Sequence, residues 1–505
     1  MNREREMRLR MRAGRDGWLL TRRGLLQSAG CALAASAFPF ARLFAADASA
    51  GPAISPMMVK LSTYIAAAGG RALPDDVVEK AKHHILDTIS AMVSGSQLPP
   101  GKAALTFAKA SPGDKVATVA GSTFLCGAID AAMANGVLAH SDETDDSHSP
   151  SLSHPGCSIV PATLATGEHF GIDGMKMIRA VTLGYDIGPR FTMTLGAREY
   201  MDNTHRSTHT ISGNFGSTAA AACAAGLTVQ QVRWALDYAA EQCSGLGAWQ
   251  RDTQHIQKAF VFAGMPARNG VTAALLVQSG WTAVDDIFSG EDNFFQAFNP
   301  KADPNGLVEK LGERYEIART NIKKWTVGSP IQAPLDALQS LMEQHKFKAD
   351  QVQKVAVRVA TSEAAVVNNR EIPDICLQHM LAVMLLDGTA SFASAHDAAR
   401  MKNPDIVRER AKVQLIPDAE FEKLLPARVA VVDVTLTGGM HFSQRVDAVR
   451  GSAENPMPRK EVADKARDLM TPVLGAANCN ALIDRIWTLD TVKNVRELRP
   501  LLQRT

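Results

Sequence analysis

A polar segment between two apolar, alanine-rich stretches is the feature that most constrains how this chain can fold. Residues 140–156 hold three histidines and four acidic residues, whereas the flanking patterns over residues 125–139 and 158–170 are typical of core helices. Burying imidazoles and carboxylates costs free energy unless they are paired. The segment is therefore either a solvated turn or a functional site, and we interpret it as a site.

The pattern is helical from about residue 56 to residue 290. Proline and acidic residues are favoured in the first turn of a helix, so Pro74, Asp75 and Asp76 indicate a helix start. Apolar residues then recur at helical spacing, at Val78, Ala81, Ile85 and Ile89. Aromatic residues make up only 6% of the chain, which also favours packed helices over sheets.

The character of the sequence changes near residue 325. Residues 354–360 alternate polar and apolar side chains as a strand does, and residues 428–450 are typical of a hairpin around a Gly-Gly turn. The chain is helical again after Pro456. We predict a mainly α fold with an α+β insertion: a large all-helical domain from residues 51–322 and 454–505, and a smaller α+β domain at 323–453.

The first fifty residues are similar to an export signal. Eight arginines fall within residues 3–23, an apolar run follows over residues 24–40, and residues 48–50 are small, as at a cleavage site. With twin arginines before the apolar run, this order resembles a twin-arginine signal, so we expect residues 1–50 to direct export to the periplasm. The alternative is a membrane anchor, for which the run is short. We expect no stable span in the mature chain.

Charge and cysteine spacing weigh against two further classes of protein. Residues 1–50 carry nine arginines and four acidic residues, whereas the whole chain has a formal net charge of +2, so the remainder has a net charge of −3. This balance gives no indication of a nucleic-acid surface. The six cysteines outside the signal are far apart and form no CxxC pair. The sequence therefore indicates neither a zinc motif nor a disulfide framework.

Four clusters of residues carry plausible chemistry: residues 140–154, residues 208–216, Lys258 with residues 263–270, and the pair Lys323-Lys324. At these positions the chain resembles the MmgE/PrpD family, which includes 2-methylcitrate dehydratases and cis-aconitate decarboxylases. The resemblance extends over about residues 55–480. Its features are Asp145-Asp146 before His154-Pro155-Gly156, Gly184-Tyr185-Asp186, His209 before Gly213 and Phe215-Gly216, Lys258 before Gly264, Arg268 and Gly270, and Lys323.

The resemblance implies a lyase without a cofactor that acts on a small di- or tricarboxylic acid. Such an enzyme moves a proton next to a carboxylate and releases water or carbon dioxide. The reaction requires a base, an acid and cations that hold carboxylates. The resemblance also implies a homodimer and a helical domain with an inserted α+β domain. An isomerase or epimerase that acts on the same class of substrate would use the same proton-transfer step, so this function remains an alternative.

The resemblance also implies roles for individual residues. His154 and His209 would transfer protons, since imidazole titrates near neutral pH. Lys258, Glu143 and Asp145 complete the expected catalytic set. The residues expected to bind substrate are Asp146, Ser147, Lys323, Arg268 and His379.

Two positions depart from the family pattern. His379 stands where the family usually has a tyrosine, and Gln332 stands where it often has a histidine. Histidine can form a hydrogen bond or transfer a proton in place of tyrosine, but its pKa and the length of its side chain differ. Because of these two changes, the resemblance does not identify the specific substrate.

Two alternatives belong to other functional classes. A metal-dependent hydrolase would use the carboxylates and imidazoles of the loop, which suit zinc, manganese or iron: His140, Asp145, Asp146, His148 and His154. The second alternative is an exported protein that binds carboxylates without turnover, which the change to His379 would favour. His140 and His148 also have a plain structural interpretation as paired or solvated histidines.

Overall fold

The computed structural model describes residues 53–504 apart from Pro112. The predicted export signal, residues 1–50, lies outside the described residues. Helices account for most of the rest, and a single four-stranded sheet lies towards the C-terminal end. The prediction of a mainly α fold with an α+β part is confirmed.

Among the described residues up to 300 there are twelve α-helices. They are α1 (Pro56–Ala67), α2 (Asp75–Gly95), α3 (Pro99–Ala110), α4 (Ala128–Ala139), α5 (Gly156–Phe170), α6 (Gly174–Leu195), α7 (Ala197–Thr204), α8 (Thr208–Ala225), α9 (Val229–Glu241), α10 (Ile256–Ala259), α11 (Met265–Gln278) and α12 (Phe294–Phe298). A short ribbon of β1 (Ala117–Thr118) and β2 (Leu125–Cys126) lies before α4. The apolar pattern predicted from residue 125 therefore becomes a helix only at Ala128.

Small residues let the central helices approach closely. Helices α6 and α8 pack against each other along their lengths. A Cβ on Gly188 of α6 would lie 2.3 Å from the Ser212 carbonyl oxygen of α8. Such a distance is too short for any side chain, so only glycine permits this contact between the two main chains.

The α+β part has its own apolar core and a mixed sheet. Its strands are β3 (Val352–Ala360), β4 (Val413–Asp418), β5 (Ala430–Leu436) and β6 (His441–Val446), in the order β4-β3-β5-β6. Strands β3 and β4 are parallel, and the other pairs are antiparallel. Its helices are α13 (Ser329–His345), α14 (Thr361–Val367), α15 (Leu377–Asp387), α16 (Phe392–Ala395), α17 (Pro404–Ala411) and α18 (Ala419–Glu422). Strand β3 and the β5–β6 hairpin were predicted, whereas β4 was not.

The C-terminal segment packs on the first helices of the chain. Helix α19 (Arg459–Trp487) lies against α2, and α20 (Arg499–Leu502) follows it. Lys465 of α19 donates to Asp87 at 2.6 Å and to the Thr144 carbonyl at 2.9 Å. The C-terminal segment therefore completes the helical part, and Lys465 contacts the polar loop directly at Thr144.

One helical stretch among the described residues, Ile256–Gln278, is long and apolar enough to cross a membrane by length and composition. However, 67% of its most apolar window is buried inside the protein. It therefore has the environment of a core helix.

Candidate active site

The loop of residues 140–156 is buried, although it is highly polar. It runs from the end of α4 through a 3-10 turn at Ser149–Ser151 to the start of α5. Six of its seven histidine and acidic side chains are buried, and the seventh, His154, is only 12% exposed. Because buried charges need partners, the loop is not a solvated turn.

Asp145 connects two histidines of the loop. Its Oδ2 lies 2.9 Å from His140 Nδ1 and 3.2 Å from His154 Nδ1. Burial by itself raises the pKa of Asp145, but the two imidazoles outweigh burial and hold the pKa well below its usual value. Asp145 is therefore ionised, and it leaves Nε2 of each ring free to face other groups.

A π-helical turn places an aromatic ring among the histidines. This turn, Phe260–Gly264, joins α10 to α11, and such turns are frequent at functional sites. The Phe262 ring stacks on His209 at a centroid distance of 3.7 Å and on His140 at 4.7 Å. The His154 and His209 rings are 5.2 Å apart. Three imidazoles thus surround one apolar ring.

Burial holds His154 and His209 in the neutral form, in which an imidazole can accept a proton. It lowers the pKa of His154 despite the charge of Asp145, and it lowers the pKa of His209 well below the usual value. His255, 5.1 Å from His140 between ring centroids, has a pKa lowered to about 3 by burial and by Lys258. Since neutral imidazole accepts a proton, His154 and His209 are suited to act as bases.

Two lysines meet at Glu143. Lys258 Nζ forms an ion pair with the Glu143 carboxylate. Lys323 Nζ donates to the Glu143 carbonyl at 2.8 Å and lies 3.8 Å from Asp145 Oδ1. Burial raises the pKa of Glu143, but the two lysines outweigh it and hold the pKa well below its usual value. Lys324 instead bonds within the α+β part, so Lys323 is the lysine of the pair that reaches the site.

Several polar atoms of this cluster have no hydrogen-bond partner in the part of the chain that the structure describes. They are His140 Nε2, Asp145 Oδ1, His209 Nδ1 and His255 Nε2, together with His154 Nδ1, which lies 3.2 Å from Asp145 Oδ2 without forming an aligned hydrogen bond. Buried polar groups are nearly always hydrogen-bonded. Such a concentration therefore indicates a place where a bound polar molecule completes the bonding, and the adjacent lysines favour an anion.

Asp146, expected to bind substrate, lies behind this cluster. Its carboxylate accepts hydrogen bonds from Tyr185 Oη at 2.6 Å and from Gly156 N at 2.9 Å, and it contacts His84 Nδ1 at 2.8 Å. A Cβ on Gly156 would lie 2.5 Å from Tyr185 Oη, which explains the glycine of the His-Pro-Gly run. Both Asp146 oxygens are engaged by neighbouring groups of the protein, so this residue holds the loop in place.

Among the described residues, Ser147 and Arg268 form no hydrogen bond or ion pair with the histidine cluster. Ser147 pairs with Asn321 through its main chain and borders a cavity of about 380 Å³ that Lys323 also lines. Arg268 contacts the neighbouring Asn269 on α11. Ser147 thus lies beside the cavity that Lys323 lines, whereas the recorded contact of Arg268 is with its neighbour on α11.

His379, expected at the position of the family tyrosine, is buried in α15 within the α+β part. Burial and the charges of Arg410 and Arg400 lower its pKa to about 4. Both of its ring nitrogens lack a partner among the described residues. Within residues 53–504, His379 forms no hydrogen bond, ion pair or ring contact with the histidine cluster.

The α+β part contributes two residues that the sequence analysis did not identify. His396 Nε2 lies 3.0 Å from Asp142 Oδ2. Burial lowers the pKa of His396, but Asp142 outweighs it and raises the pKa to about 9. Asp374 is buried near Asp142 and Glu143, and burial raises its pKa to about 7. Neither residue stands in a recognisable motif, so no local signal could have found them.

Comparison with known proteins assigns the chain to a family. The MmgE/PrpD N-terminal domain matches residues 59–307, and the MmgE/PrpD C-terminal domain matches residues 325–489. Cis-aconitate decarboxylase from Aspergillus terreus (strain NIH 2624 / FGSC A1156) is 24% identical over 467 residues, which cover 85% of this chain and 92% of that protein. Cis-aconitate decarboxylase from Homo sapiens is 24% identical over 455 residues, which cover 85% and 91%. The chain belongs to the MmgE/PrpD family.

Proposed function

We propose that this protein is a lyase that moves a proton next to a carboxylate of a small di- or tricarboxylic acid and releases carbon dioxide or water. The main support is the buried cluster of His154, His209 and Asp145 beside Lys258 and Lys323. This cluster combines neutral bases with two cations, the groups that such a reaction requires. The names of the relatives, cis-aconitate decarboxylases, support the same class.

The proposed roles follow from charge and protonation. Lys258 and Lys323 hold a substrate carboxylate and stabilise the negative charge that develops on it. His154 and His209 take up or return the proton. Asp145 fixes the orientation of His154, and Glu143 releases Lys258 when the substrate carboxylate takes its place.

A proton-exchange experiment tests the proposal. The protein is incubated in D2O with succinate, malate, citrate or cis-aconitate, and proton NMR follows the C–H signals and any new alkene signal. We expect exchange or conversion of at least one acid. His154→Gln should abolish it, while the exposed His441→Gln should not. Failure of the wild-type protein to act on any of these acids would contradict the proposal.

A metal-dependent hydrolase is the second candidate, because His140, Asp145 and His154 offer ligand atoms within 4.8 Å of one another. The two other expected ligands are engaged elsewhere: Asp146 as described above, and His148 by Ser151 and Glu316. Elemental analysis of the purified protein separates the candidates. A stoichiometric transition metal whose chelation abolishes activity would favour the hydrolase.

We also propose that the protein is exported to the periplasm and forms a homodimer. The sequence of residues 1–50 supports export, and the family resemblance supports the dimer. Replacing Arg22 and Arg23 together by lysine should retain the protein inside the cell if the twin-arginine interpretation is correct. Light scattering of the purified protein measures its oligomeric state.

A further inference from the structure

A histidine of the α+β part contacts the polar loop of the helical part. His396 directly follows α16, and its Nε2 forms an ion pair at 3.0 Å with Asp142 Oδ2, although the two are not aligned as a hydrogen bond. Its Nδ1 lies 2.8 Å from the Phe392 carbonyl oxygen. Both neighbouring oxygens offer only lone pairs, so a hydrogen on each ring nitrogen is the arrangement that avoids repulsion. The contacts therefore favour an imidazolium whose charge faces the loop.

The short helix that carries His396 is fixed on two sides. Ser391 caps its start through a capping box. Phe392 N donates a hydrogen bond to Asp468 Oδ2 of α19 at 2.7 Å. The Phe392 ring also lies against the His396 ring, with their centroids 4.3 Å apart. The imidazole thus reaches the loop from a position that the C-terminal helix and its own helix hold.

Asp142 holds a tight turn of the loop. Its carboxylate accepts hydrogen bonds from Thr144 N at 2.9 Å and from Thr144 Oγ1 at 2.7 Å. Glu143, the residue inside this turn, forms the ion pair with Lys258. The Glu143 carbonyl oxygen also accepts a hydrogen bond from Lys323 Nζ at 2.8 Å. The turn at Asp142 therefore determines where both lysines of the candidate site lie.

Two carboxyl groups act on His396: Asp142 of the loop and Asp374 of the turn Pro373–Ile375. Both favour the charged imidazole, whereas burial opposes it. The carboxyl groups outweigh burial and raise the pKa of His396 to about 9. This direction agrees with the contacts of the two ring nitrogens. The charge is therefore present at neutral pH and is lost as the pH rises through 9.

We propose that His396 is a positioning residue of the candidate site. As an imidazolium it holds Asp142 in the turn that places Glu143, and it thereby determines where the two lysines meet a substrate carboxylate. This inference rests on the proposed lyase function and deepens it, because the α+β part and the helical part then build the site together. A displacement of about 1 Å in groups that orient a substrate can lower turnover about 100-fold. His396 therefore needs no contact of its own with the substrate.

The variant His396→Gln tests the role, because glutamine keeps a hydrogen-bond donor towards Asp142 and removes the charge. The probes are malate, citrate and cis-aconitate, and proton NMR measures kcat/KM between pH 6.5 and pH 10. We expect kcat/KM of the variant to be about tenfold or more below wild type at pH 7.5. Because the wild-type protein loses the same charge above pH 9, the ratio of the two should approach one by about pH 10.

Two further variants separate charge from other effects. His396→Lys keeps a cation whose ordinary pKa is about 10.4. It should stay within about threefold of wild type at pH 7.5 and retain more activity than wild type at pH 9.5. The exposed His441→Gln, in the same part of the protein, should reproduce the wild-type profile.

Two kinetic results would overturn the inference. A wild-type to His396→Gln ratio that stays constant up to pH 10 would mean that the charge has no role. A value of kcat/KM within about threefold of wild type at pH 7.5 would mean that the contact supports the fold alone.

A further readout does not depend on turnover. In protein with ¹⁵N-labelled histidine, the signals missing from His396→Gln should show a hydrogen on both ring nitrogens at neutral pH and titrate near pH 9. Titration of these signals near pH 6.5 or below would overturn the inference whatever the activity.

Binding separates this inference from the proposed function. If the wild-type protein acts on none of the acids, the lyase proposal fails, and calorimetric titration with citrate at pH 7.5 then tests the positioning role. Binding about tenfold weaker in His396→Gln and restored in His396→Lys would support it. Equal binding by wild type and His396→Gln, or no binding by the wild type, would overturn it.

Discussion

Replacing Asp146 should lower the stability of the protein, because this residue supports the loop of residues 140–156. It should leave contacts to the substrate intact. The residue was expected to bind substrate, but its two oxygens meet Tyr185, His84 and Gly156 beneath the loop. In Asp146→Asn the best placement of the new amide keeps the oxygen towards Tyr185 and His84 and turns the NH2 group towards the Gly156 N–H. One buried N–H then loses its acceptor, and the other two hydrogen bonds lose their charged acceptor.

The magnitude follows from these three bonds. A buried donor left unpaired costs about 1–3 kcal/mol, and a hydrogen bond to a charged group is worth roughly 1 kcal/mol more than a neutral one. We therefore expect Asp146→Asn to lower the free energy of unfolding by about 3–5 kcal/mol. Equilibrium unfolding in urea, followed by tryptophan fluorescence, measures this change as a shift of the midpoint at an unchanged slope.

Tyr185→Phe provides a graded control, since it removes one donor and leaves Asp146 in place. It should cost about 1.5–3 kcal/mol, and the double variant should cost less than the sum of the two single changes, because the residues share one hydrogen bond. An unchanged urea midpoint in Asp146→Asn, together with a raised KM for the accepted acid, would refute this reasoning and return Asp146 to a substrate-binding role.

Three further predictions follow from individual contacts. Lys323→Met should lower turnover in the NMR assay by about 100-fold or more, whereas Lys324→Met should stay within about threefold of wild type. Below pH 6.5, His396→Gln should lower the free energy of unfolding by an amount on the order of 2 kcal/mol. Because the folded-state pKa is raised to about 9 by Asp142, this difference in urea midpoint should disappear as the pH rises through 9, and a constant difference would contradict the pairing. Gly156→Ala should lower stability by about 1–3 kcal/mol in thermal unfolding, because its Cβ meets Tyr185 Oη.

Local patterns were sufficient for the fold class. Apolar residues at helical spacing predicted α2, and alternation predicted β3 and the β5–β6 hairpin. Strand β4 escaped prediction because it is an edge strand of six residues that contains Pro417, a residue that weakens strand patterns. The ribbon before α4 escaped because two-residue strands carry no periodicity.

The sequence by itself determined the chemistry available to this protein: imidazoles and carboxylates in one loop, with His209, Lys258 and Lys323 as further groups. Only the tertiary structure decided which of them come together. It separated Asp145, which faces the histidines, from the adjacent Asp146, which supports the loop. It also brought His396 to Asp142 of the loop from a segment with no motif. The physical reason is that residue type fixes what a group can do, whereas its partners, burial and pKa depend on chain segments that meet only in the folded protein.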